Sequence, residues 1–85
     1  MKVSVTTPEG VALEKDQVDM VVARGEEGEL GILRRHTPLI SNLVKGELRI
    51  RKGQDTAYLD IGGGLIEVLE NRVTILADTA EVINN

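Results

Sequence analysis

Apolar and polar residues alternate along this chain in short stretches, and none keeps a helical period for the roughly ten residues that mark a helix. Val3 and Val5 alternate with Ser4 and Thr6, and Thr7-Pro8-Glu9-Gly10 then turns the chain. Pro8 presets its own φ, and Gly10 can take a left-handed one. Val11 to Arg24 is a longer stretch, with Val18, Met20 and Val22 on one face. Gly25 to Gly28 reads as an acidic loop and Glu29 to Leu33 as a short strand. Thr37 to Val44, with Leu39-Ile40 and Leu43-Val44, has room for one or two helical turns. From Glu47 the alternation is clean. Leu48 and Ile50 point inward, as do Ala57, Leu59 and Ile61, then Ile66 and Val68, then Val73, Ile75 and Ala77.

This spacing predicts an all-β fold: a flattened sandwich or barrel of two antiparallel sheets with about eight to ten short strands. Turns fall at Lys45-Gly46, Gly53 and Glu70-Asn71, and Gly62 to Gly64 reads as a bulge or sharp corner between two strands. Leu65, Leu69 and Leu76 lie opposite the inner rows, and Val21 is similarly placed. The outer face of an antiparallel sandwich is mostly polar. Either these residues cover one another, sit at corners or belong to a shifted register, or they form an apolar patch that a partner covers.

Composition narrows the function. Residues 1–85 are expected to form a single domain, whose apolar 41% is almost entirely Val, Leu, Ile and Ala. Tyr58 is the sole aromatic, and branched aliphatics suit pleated strands. Net charge is −4 with the two signs interleaved, so the basic face and stacking aromatics of a nucleic-acid binder are missing. No cysteine is present, hence no disulfide framework. No apolar run approaches the roughly 20 residues of a membrane span, and the first ten residues lack a secretory signal's apolar stretch.

Candidate chemistry is equally sparse. His36 is the only histidine, which rules out a multi-histidine metal site, and no carboxylate loop has calcium-site spacing. Neither Ser4 nor Ser41 sits in a nucleophile elbow. The glycine triplet lacks the Lys-Ser/Thr or spaced glycines of a phosphate loop. The expectation is no catalytic residue, metal, cofactor or small-molecule substrate.

Five segments together resemble one family. They are VTTPEG at Val5–Gly10, GELGILRRHTPLISNL at Gly28–Leu43, GELRI at Gly46–Ile50, GGGLIEV at Gly62–Val68 and NRVTILADTAE at Asn71–Glu81. In order and spacing they are similar to the N-terminal β-sandwich of epsilon subunits of F-type ATP synthases. The resemblance implies a non-catalytic rotor subunit at the foot of the central stalk, linking gamma to the ring of c subunits. Its mechanism would be mechanical, as proton or sodium flow turns the ring and the foot passes torque on. It also implies a peripheral position at the cytoplasmic face of a bacterial membrane, without insertion, and solubility when isolated.

By the same resemblance, Glu29, Leu30, Gly31, Arg34, Arg35, His36 and Thr37 are expected near the c-ring and gamma, with Glu29 bonding to polar loops of the ring. Leu65, Leu69 and Leu76 are candidates for the gamma face. Two departures stand out. Many relatives carry Pro-Gly at the place of Arg34-Arg35, so a preset turn is expected to be lost and two positive charges gained. The family also usually continues past a segment like ADTAE into a helical hairpin, which carries a brake on ATP hydrolysis and in some members an ATP site. This sequence stops at Asn85, and neither property is expected of it.

Overall fold

The computed structural model describes residues 1–84. Its eight strands are β1 (Lys2–Thr7), β2 (Gly10–Lys15), β3 (Met20–Gly25), β4 (Gly28–Leu33), β5 (Leu39–Lys52), β6 (Asp55–Leu69), β7 (Arg72–Ala77) and β8 (Ala80–Asn84). The predicted all-β architecture is therefore present, at the low end of the expected strand count.

Two-residue loops join most neighbours. Pro8-Glu9 connects β1 to β2, where Thr7 Oγ1 accepts the Glu9 N–H at 3.1 Å. Glu26-Glu27 connects β3 to β4, and Glu70-Asn71 connects β6 to β7. Glu70 and Asn71 have φ of 50° and 60°, the sign pattern of the type I′ turn whose twist suits a hairpin.

Hydrogen bonding runs through the strands in the order β2-β1-β7-β6-β5-β3-β4, with β8 beside β6. β1 and β7 pair in parallel, from Lys2 opposite Arg72 to Thr6 opposite Leu76. The sandwich is thus built from one mixed, continuous sheet in which this single pairing is parallel. β5 and β6 are long enough to serve both layers. Leu39–Leu43 pairs with Gly64–Val68 in the first layer, beside β7, β1 and β2. Lys45–Lys52 pairs with Asp55–Gly62 in the second, beside β3, β4 and β8.

The inner row changes parity where the layers meet. In β6 it runs through Ala57, Leu59 and Ile61, then through Ile66 and Val68; in β5 it passes from Leu43 to Leu48 and Ile50. Gly62–Gly64 sits at this change, so the triplet lies inside one strand and does not separate two. Gly64 has φ +149°, and a Cβ there would overlap the Leu76 carbonyl oxygen. No residue with a side chain fits that close approach without displacing β7.

Inward side chains of both layers are fully buried in one cluster, as only two facing layers can achieve. Ile66, Val68, Val73 and Ile75 come from the first; Val21, Ile32, Leu48, Ile50 and Leu59 come from the second. No polar or charged residue is buried among those described, so the core needs no buried hydrogen-bond partners.

Two local readings change. Val21 and Ala23 are buried, whereas Met20 and Val22 are half exposed on the outer face. The run Met20-Val21-Val22-Ala23 has no period of its own. Its register is set by Ile32 and Ile50, which flank Val21 on either side. Val18 is buried too, but in the connecting segment, where its N–H bonds to the Met1 carbonyl at 2.8 Å. The segment after Thr37 holds no helical turn. Leu39, Ser41 and Leu43 pair with Val68, Ile66 and Gly64, so the strand begins at Leu39. The Leu39-Ile40 and Leu43-Val44 spacing mimics a helix, yet the long-range partner decides.

Candidate functional site

Glu29, Gly31 and Leu33 line the outer edge of the second layer on β4, an edge strand. The Glu29 carboxylate lies 3.2 Å from Arg49 Nη2, and Arg49 Nε lies 3.8 Å from Glu47 Oε1. These exposed pairs form a short charged ladder over β3 and are worth little to stability. Both Glu29 and Glu47 stay open to solvent and remain available to an approaching donor. Leu30 points the other way and packs against the core, so its side chain is not part of that surface. Nothing lies within 4 Å of a Cβ built on Gly31, which leaves the backbone open to contact.

After β4 the chain reverses at Arg34-Arg35. The His36 N–H bonds to the Leu33 carbonyl at 3.1 Å, and Arg35 has φ +61° while Arg34 does not share a positive φ. That sequence of signs is the type II pattern, for which Pro then Gly are the favoured central residues. The expected loss of the turn is corrected: it forms with arginines in both places. Asn71 holds it, accepting the Arg35 N–H on Oδ1 at 2.9 Å. His36 Nδ1 lies 2.7 Å from the Thr37 carbonyl oxygen, so this nitrogen carries the proton and donates. Thr37 itself is exposed.

Asp19 faces the same turn. Its Oδ2 accepts the Gly53 N–H at 2.7 Å, and its Oδ1 is 3.8 Å from Arg34 Nε. The Gly53 bond is the main cause that holds its carboxyl below the ordinary value of 3.8; burial pushes the other way, and the nearby Arg34 and Arg51 guanidinium groups add to the lowering.

The outer face of the first layer is different in character. Leu65 lies directly opposite Leu76, and Leu76 is followed in the same row by Thr6 and Val11. Ile40 is opposite Glu67, diagonal to both Leu65 and Leu69. Leu76 is 50% exposed, Leu69 47% and Ile40 67%. The three leucines singled out in sequence therefore share one open face, which Ile40 and Val11 extend. Ile40 was missed because the helical reading of its segment hid its alternation with Leu39. Among the described residues no group of three or more His, Asp or Glu residues could hold a metal, and no helix is long and apolar enough to cross a membrane.

A family model described as the ATP synthase delta/epsilon chain beta-sandwich domain matches residues 1–83. The chain is 44% identical over 81 residues to an ATP synthase epsilon chain of Pediococcus pentosaceus, covering 95% of this chain and 58% of the relative. It is 59% identical over 63 residues to that of Acidithiobacillus ferridurans, covering 74% and 45%. The chain thus spans about half to three-fifths of the length of these curated relatives. Among solved structures, a chain of the Euglena gracilis mitochondrial ATP synthase, in an assembly of OSCP, F1 and c-ring, superposes with TM-score 0.88. It has 26% identity over 94% of this chain and 51% of its own length. A chain of the Tetrahymena thermophila central stalk and c-ring assembly has TM-score 0.82 at 23% identity, covering 95% and 65%, and speaks to the fold alone.

Proposed function

The chain belongs to the ATP synthase delta/epsilon family as its beta-sandwich domain, and from that premise we propose that it works as the epsilon-type foot of a rotary ATP synthase. In this reading it carries out no chemistry. It binds gamma through the apolar face of the first layer and the c-ring through β4 and the turn that follows, at the cytoplasmic face of the membrane. Ions driven through the ring turn it, and the sandwich transmits torque as a rigid wedge.

The observation that carries the reading is the asymmetry of the two outer faces. Ile40, Leu65, Leu69, Leu76 and Val11 give the first layer an apolar surface that water alone covers poorly. The outer face of the second layer interleaves Met20, Val22 and Leu33 with Glu29, Glu47, Arg49 and Asp60, and these charged groups suit polar loops through charge-assisted bonds. Its core of interlocked aliphatics, without a buried polar residue among those described, suits load transmission because such interiors are close-packed and deform little.

The absence of native cysteine allows a direct test. Single substitutions Leu69→Cys and Glu29→Cys, labelled with a photocrosslinker, are assembled with gamma and the c-ring. Crosslinks from position 69 to gamma and from position 29 to c subunits support the reading. Crosslinks from both positions to one subunit, or to neither, refute it.

A further inference from the structure

One end of the sandwich holds a cleft lined by Gln17, Asp19, Arg34, Arg35, Arg51 and Asn71, together with Met1 and Leu33. Three guanidinium groups reach it from two elements: the turn after β4 and the end of β5. One carboxylate, Asp19, stands among them, and it is already held by the Gly53 N–H. Among the described residues Arg35 and Arg51 enter no ion pair, and Arg34 reaches Asp19 only at 3.8 Å. The chain as a whole carries −4, so this concentration of positive charge runs against its average. The cleft is also built from fixed parts. Arg35 is kept at φ +61° by the Asn71 carboxamide, and Asn71 is itself fixed in the tight β6–β7 turn with its carbonyl accepting the Lys2 N–H at 3.3 Å.

We infer that this cleft binds a phosphate-type oxyanion, either free or carried as a lipid headgroup. Guanidinium groups converging on a concavity match an anion with several acceptor oxygens, each able to take paired N–H donors. A single carboxylate is a poorer occupant, because Asp19 already offers one to the same donors. The inference stands on the cleft and not on docking to gamma or the c-ring, and it is tested on the isolated full chain.

Sodium pyrophosphate is titrated into the isotope-labelled chain at low, fixed ionic strength, and amide shifts are followed by NMR. Saturable one-to-one shifts confined to residues 17–19, 34–36, 51–53 and 71 are expected. Arg51→Gln and Arg35→Gly should each weaken binding about tenfold, the usual effect of losing a charge-assisted bond. Lys45→Gln, at the distant layer junction, should leave it unchanged. Thermal midpoints confirm that each variant is folded, and Arg35→Gly relieves a strained φ, so at least one test variant survives. Displacement of pyrophosphate by phosphatidylglycerol vesicles identifies a headgroup as the source; retention identifies the free anion. Shifts that never saturate, that follow every basic residue including Lys45, or that saturate in Arg51→Gln with the parent's affinity overturn the inference.

Discussion

Arg35→Gly should stabilise the chain although it removes a charged side chain. Arg35 sits at φ +61°, where a Cβ crowds its own carbonyl at a cost of ~1–2 kcal/mol. Glycine removes that cost but enlarges the unfolded ensemble, which takes back ~0.4–1 kcal/mol. The Arg35 N–H bond to Asn71 Oδ1 and the His36 N–H bond to Leu33 use backbone donors and survive the change. Nothing buried is lost, since Arg35 is exposed. At the middle of those ranges the net gain is about 0.8 kcal/mol. For a domain this small, that raises the thermal midpoint by about 2–8 °C. Differential scanning calorimetry at fixed pH and salt measures it. Arg35→Asn should fall between the two, because asparagine tolerates the left-handed region. An Arg35→Gly midpoint equal to or below the parent's would refute the argument, showing that the turn stores no strain that glycine can release.

Leu59 is 0% exposed and lies between Leu48 on β5 and Val82 on β8, so Leu59→Ala should cost about 2–4 kcal/mol in a denaturant titration; a loss below about 0.5 kcal/mol would be incompatible with this core. Asp19 has a folded-state pKa below its unfolded one. Its contribution to stability is present above the ordinary value of 3.8 and is lost as pH falls through the lower, folded value. Asp19→Asn should accordingly be less stable than the parent near neutrality and converge with it in acid. A difference that does not change with pH would contradict this.

Much of the fold was legible because burial here has a period of two. Leu48, Ile50, Ala57, Leu59, Ile61, Ile66, Val68, Val73, Ile75 and Ala77 were assigned inward from alternation alone, and all are buried. Where alternation fails, so does the reading. In Met20-Val21-Val22-Ala23 every position is apolar, and the choice of face rests on Ile32 and Ile50, which are distant in sequence. The parallel pairing of β1 with β7 joins segments far apart in the sequence, Lys2 opposite Arg72, and leaves no local signature. The apolar outer face showed in part through Leu65, Leu69 and Leu76; Ile40 joined it only once β5 was seen to begin at Leu39. The cleft at the other end could not be foreseen. Arg51 is separated from Arg35 by nearly the whole of β5 and meets it only through the folded sheet.

Calorimetric titration of the chain into the gamma subunit of the same organism tests the central claim most directly. The account predicts one-to-one binding that Leu69→Asp weakens, since it places a charge on the apolar face of the first layer, and that Thr56→Asp on the opposite outer face leaves intact. Absence of binding at tens of micromolar, a concentration that detects interactions of about −6 kcal/mol or stronger, would contradict it. Equal damage from the two substitutions would contradict it as well.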